Sequence, residues 1–150
     1  MNVVNTDQSV DALISRANKV LPAGSFGNMP GDIVLERGKA GRVWDIKGTE
    51  YVDFLLGSGP MFVGHAHPDV TKAITEQAPL GTTFFANNQY GIKLAEEICE
   101  AMACADQLRF VSSGSEATLY AMRLARAYRK RDKILKFEGG YHGMSDYSLM

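Results

Sequence analysis

Apolar side chains first recur along the chain at a helical interval. Val10, Leu13, Ile14, Ala17 and Leu21 fall at i, i+3, i+4, i+7 and i+11, which predicts an amphipathic helix that Pro22 stops. Residues 22–32 (PAGSFGNMPGD) have no period and are rich in Gly and Pro, so they read as a loop. Short strand-like runs follow at 33–37, 42–46 and 51–54. Turn residues at 38–41 and at Lys47-Gly48-Thr49 join them, which predicts a small antiparallel meander.

Residues 55–68 are a second loop, holding Gly57, Gly59, Pro60 and Gly64. Helical spacing returns at 69–78, with Val70, Ala73 and Ile74 on the inner face. It returns again at 89–103, with Leu94, Ala95, Ile98 and Met102 inward and Glu96, Glu97 and Glu100 outward. Residues 107–112 (QLRFVS) read as a strand, 115–130 as a helix and 133–138 (KILKFE) as another strand. A strand, a helix and a strand in that order predict a parallel pair with a right-handed crossover. A parallel sheet needs both faces covered and normally more strands than two. The pattern therefore reads as an α/β domain of which only the beginning is present. The expected division is 1–56, a helix and meander belonging to a small domain, and 57–150, the start of a larger one.

Charge adds little. Lys and Arg number 16 against 17 Asp and Glu, a net charge of −1, with no footprint for nucleic acid or an anionic membrane. No apolar run approaches the ~20 residues of a membrane helix. Residues 1–9 are polar and lack the basic start and apolar core of a secretory signal. Cys99 and Cys104 have no partner pair, so reduced thiols in a cytoplasmic protein are expected rather than a zinc site.

The candidate chemistry lies in two turns. Ser112-Ser113-Gly114-Ser115-Glu116-Ala117-Thr118 sits between a predicted strand and a predicted helix. Glycine there lets a ligand approach the backbone, and Ser115 is placed to cap the helix. The first-turn amides and the helix dipole then offer an anion site. A bare helix cap accounts for the same residues, and the pattern is neither a P-loop nor a dinucleotide fingerprint. Gly139-Gly140-Tyr141-His142-Gly143 follows the next predicted strand. In a parallel α/β sheet both turns fall at the carboxyl ends of strands, where ligands bind. Tyr141 and His142 beside an anion site would suit a flat, phosphorylated heteroaromatic ligand, although both also read as ordinary loop residues.

The run SSGSEATLYAMRLARAYRKRDKILKFEGGYHG resembles the class-III aminotransferases, fold-type-I enzymes that depend on pyridoxal 5'-phosphate (PLP). RVWDIKGTEYVDF and GPMFVGHAHPDV resemble the same family's N-terminal region, especially its aminomutase branch, so the likeness reaches from about Leu21 onward. It implies a fold-type-I large domain, here incomplete, preceded by a small N-terminal helix and meander. It implies that Ser113, Gly114 and Ser115 hold the PLP phosphate through amides and hydroxyls, that Tyr141 stacks on the pyridine ring, and that His142 lies beside it. Glu116 is then expected to point away from the phosphate or to cap the helix. The implied activity is amino transfer, or its aminomutase variant, on an amine or amino-acid substrate by a homodimer.

Two departures bear on that reading. The family's Schiff-base lysine and the Asp that pairs with the pyridine nitrogen are expected beyond Met150. Lysines 19, 39, 47, 72, 93, 130, 133 and 136 lie in none of the right context, and Lys136 reads as structural. Ser58 stands where the aminomutases carry a tryptophan on the substrate side, which opens room for another amino donor. Two rival readings differ in class. One is a phosphate-ligand-binding chain without turnover, given the missing lysine. The other is a metal site at His65 and His67 with His142, but Gly64 and Pro68 bracket that pair in a loop, where hydrogen bonding is the expected role and no metal is expected.

Overall fold

The computed structural model describes residues 9–27 and 29–149. The chain forms two compact units, Met1–Thr83 and Phe84–Met150.

In the first unit, helix α1 spans Val10–Val20. The Ser9 side chain caps its start by accepting from the Ala12 amide at 3.3 Å, and Leu21 leaves in an extended conformation ahead of Pro22. A three-stranded antiparallel sheet follows, in the order β1 (Leu35–Lys39), β2 (Arg42–Asp45), β3 (Glu50–Val52). The meander is as expected, but its strands are displaced from the apolar runs. Lys39 pairs with Arg42 across a turn of only Ala40 and Gly41, and Val43 pairs with Tyr51. That tight turn, with Ala40 at a positive φ of 50°, fixes the register, so β1 extends to Lys39 and begins two residues later than the apolar run.

Asp45 organises the second turn. Its Oδ1 accepts from the amides of Lys47 (2.9 Å) and Thr49 (2.8 Å), and its Oδ2 accepts from the Tyr51 hydroxyl (3.0 Å). Burial pushes its carboxyl upward, but the Thr49 amide, the Tyr51 hydroxyl and the Lys47 amide outweigh that and hold it below the usual carboxylate range. Val43 and Asp45 are both buried, and Val43 is the one buried large apolar residue among those described. The core of this unit therefore sits on one face of β2. Helix α2 (Pro68–Gln77) starts with proline in its first turn.

The second unit holds helix α3 (Gln89–Ala101), capped by Asn88, which accepts from the Gly91 amide at 2.9 Å. Helix α4 (Gly114–Arg129) and the short α5 (Asp146–Leu149) complete it. Residues 107–112 and 133–138 are not strands among the described residues, contrary to expectation. Apolar character makes a segment suitable for a sheet, but a strand exists only through ladder bonds to a neighbour. These two segments have none with each other, and Leu135 and Phe137 stand exposed.

Candidate functional site

Helix α4 begins one residue earlier than its sequence suggests, and this changes the role of its serines. Ser113 is extended (φ −153°, ψ 159°) and is the N-cap, its Oγ accepting from the Glu116 amide at 3.2 Å. The helix also closes through the Ala117 amide onto the Ser113 carbonyl. Ser115 is therefore not the cap, because Gly114 already carries helical backbone and the cap position falls to the residue before it. Glu116 turns back toward the preceding chain and accepts from the Ser112 amide at 2.8 Å. This reciprocal Ser113–Glu116 arrangement is a capping box shifted by one amide, and it holds the carboxylate at the Ser112 amide.

Capping uses the Glu116 amide but leaves those of Gly114 and Ser115 without an acceptor among the described residues. They face outward at the positive end of a 16-residue helix dipole. A Cβ placed on Gly114 would meet nothing within 4 Å, so the space beside this turn is open. The basic residues Arg126 and Arg129 lie in the last turn, at the other end.

Ser115 serves a different purpose. Its Oγ accepts from the Met144 amide at 3.0 Å. One helical turn on, Thr118 Oγ1 donates to the His142 carbonyl at 2.8 Å and also lies 3.0 Å from the Ser115 carbonyl. These bonds clamp the Gly139–Gly143 loop onto the first turn of α4. Gly143 makes the approach possible: it is buried at φ 94°, and a Cβ there would come within 2.8 Å of Ser115 Cα. Thr118 and Gly143 both lie within the two candidate turns, but the sequence assigns neither of them a role. The one available signal was the i+3 spacing of Thr118 from Ser115, which places both on one helix face.

The clamp thus brings Ser113, Gly114 and Ser115 together with the backbone around His142. Tyr141 is 76% exposed, and among the described residues no cation stacks on its ring. His142 is half-buried and folds back against Gly140, and its Nε2 is buried without a hydrogen-bond partner. A cleft of about 590 Å³ is lined by Lys136, Glu138, the 139–143 loop, Ser148 and Leu149, and Ser113, Gly114 and Ser115 are not among its lining residues. Lys136 donates from Nζ to the Ser148 carbonyl at 2.7 Å, a structural use. His65, in the other unit, gives its imidazole to Asp53 at 2.6 Å, so hydrogen bonding accounts for that half of the H-x-H pair.

Free first-turn amides, a dipole, open space at Gly114, an exposed aromatic ring and an unpartnered imidazole nitrogen form a donor set suited to an anionic aromatic ligand. The family model of the class-III aminotransferases matches residues 24–150. A glutamate-1-semialdehyde 2,1-aminomutase from Sulfurihydrogenibium azorense is 47% identical over 118 residues, 79% of this chain and 28% of that protein. An omega-transaminase from Sphaerobacter thermophilus superposes with a TM-score of 0.86 at 35% identity, over 93% of this chain and 33% of that one. A transaminase with PLP bound gives 0.85 at 36% identity, over 92% of this chain and 34% of that one. The chain spans about a third of the length of these relatives.

Proposed function

The chain belongs to the class-III aminotransferase family, and from that premise we propose that the protein carrying it is a PLP-dependent aminotransferase or aminomutase. The observation that carries this reading is the clamp: the loop bearing the exposed Tyr141 and the unpartnered His142 imidazole is tied to the α4 start, where the Gly114 and Ser115 amides have no acceptor among the described residues. Ser113, Gly114, Ser115, Tyr141 and His142 are the residues we assign to the cofactor. The amides of Gly114 and Ser115 donate to the phosphate, where the α4 dipole favours a dianion. The hydroxyls of Ser113 and Ser115 already accept one bond each, and each keeps its proton to donate to a phosphate oxygen. Tyr141 offers a ring face to the pyridine, and His142 offers Nε2 to a polar group at its edge.

When bound, PLP supplies the electron-withdrawing ring that accepts the electron pair released as the substrate loses a proton. The residues here bind and orient. None of the eight lysines is assigned the covalent role, which falls to a lysine elsewhere in the protein. The substrate is an amine or amino acid. A serine at position 58 leaves room for donors other than glutamate-1-semialdehyde, although the 47% identical aminomutase keeps intramolecular amine transfer as the second reading. We further propose a cytoplasmic homodimer. Among the described residues no helix is long and apolar enough to cross a membrane.

The test is an amino-transfer assay on the full-length protein, with PLP and a panel of amines and keto acids, beside glutamate-1-semialdehyde alone. PLP-dependent transfer between two molecules supports the aminotransferase, and rearrangement of the semialdehyde supports the aminomutase. Failure of the full-length protein to bind PLP rejects the proposal.

A further inference from the structure

The 54–64 loop of the first unit is closed at its base by one side-chain bond. Asp53 directly follows β3 and His65 begins the return, and His65 Nε2 lies 2.6 Å from Asp53 Oδ2. An ionised carboxylate only accepts, so the imidazole donates. This bond and the amide of Leu56 hold the Asp53 carboxyl below the usual carboxylate range. The other oxygen, Oδ1, accepts from the amides of Leu55 and Leu56, both at 2.9 Å. His65 is itself fixed to the β1–β2 turn by reciprocal backbone bonds with Ala40, of 2.8 and 2.9 Å. Its ring packs where a Cβ on Gly38 would come within 2.6 Å of Cγ.

The other end is tied to the same turn by the Asp53 amide, which donates to the Gly41 carbonyl at 2.9 Å, and beyond these end bonds little holds the loop. Within this chain Phe54 and Phe62 are 92% and 84% exposed, and Leu55 and Val63 are about half exposed, so few of the described residues pack against it. Its backbone opposes the observed form. Leu56, Gly57, Ser58 and Gly59 are four consecutive residues at positive φ (49°, 65°, 66° and 111°), and two of them carry side chains. Such strain persists only where surrounding bonds impose it. Inside the loop, short-range bonds such as Met61 N to the Leu56 carbonyl and Gly64 N to the Met61 carbonyl shape the turns. They do not join its two ends.

We propose that the Asp53–His65 bond is a latch: when made, it holds the 54–64 loop in its strained form, and when broken, it releases the loop while the sheet stays intact. The latch is separable from the loop's own cap, because Asn at position 53 keeps an oxygen for the Leu55 and Leu56 amides.

Backbone hydrogen exchange of the full-length protein tests this with His65→Phe, Asp53→Asn and the double variant. His65→Phe keeps a ring against Gly38 and removes the donor. It should speed exchange at 55–64 by about 10- to 100-fold, the worth of one charge-assisted bond, and leave the amides of 42–52 unchanged. Asp53→Asn added to His65→Phe should change nothing further, since the partner is already gone. His65→Leu replaces the Phe variant if that one does not fold. Unchanged exchange at 55–64, or an equal rise across the sheet and the loop, would overturn the latch.

Discussion

Gly143 sits so close to Ser115 that a Cβ on the glycine would lie 2.8 Å from the serine's Cα and 3.0 Å from its Oγ. The next residue, Met144, donates its amide to that same Oγ at 3.0 Å. A side chain at position 143 would therefore strike the first turn of α4 and adopt an unfavourable φ of 94° as well.

Gly143→Ala should accordingly destabilise the full-length protein by about 1–3 kcal/mol. It should also weaken PLP binding, because the loop carrying Tyr141 and His142 can no longer seat on α4. Thermal unfolding and PLP titration measure the two effects together. Unchanged affinity would show that the loop's seating does not matter to the ligand.

Ser113→Ala removes the α4 cap and should lower stability by about 1 kcal/mol. Ser115→Ala should instead free the 142–144 backbone, with a smaller effect on the helix. The melting temperatures of the two variants, with exchange rates at the Glu116 and Met144 amides, separate the roles. Loss of protection at Glu116 belongs to Ser113, and at Met144 to Ser115.

Gly114 offers a cleaner distinction between a bare cap and a phosphate site. Its Cβ would meet no protein atom within 4 Å, so Gly114→Ala should leave the apo-protein as stable as before or raise it by up to about 1 kcal/mol. Gly114→Val should weaken PLP by about tenfold or more if the phosphate fills that space, the cost of losing one charge-assisted bond. Affinity unchanged in both variants would leave only a well-capped helix.

Asp45 sets an acid limit on the first unit. Its carboxyl is held below the usual range in the fold, so the folded state binds its proton less readily than the unfolded state. The stabilisation is complete above the unfolded value of about 3.9 and is lost as pH falls through the depressed folded value. Asp45→Asn should reduce stability at neutral pH and flatten its decline on acidification. Denaturation of the full-length protein at pH 3, 4 and 7 checks both signs.

Much of this was legible in the sequence because it depends on near neighbours. The spacing of Val10, Leu13, Ile14 and Ala17 with Pro22 beyond them located α1 to within a residue, and turn residues at 38–41 and 47–49 placed the meander. The run from Ser112 to Gly143 carried the family, and both of its turns lie in the clamped region. Tertiary structure decided the rest. Whether 107–112 and 133–138 are strands depends on ladder partners that no local pattern supplies. That Ser113 rather than Ser115 caps α4 followed from where the backbone turns helical. The true task of Ser115 is to hold an amide 29 residues away in sequence. A packing or hydrogen-bonding role for His65 is legible from its loop, but its partner is not, and the fold sets Asp53 2.6 Å from it. Periodicity and capping are written in residues a few positions apart, whereas a contact between distant residues arises only when the chain's folding brings their backbones together.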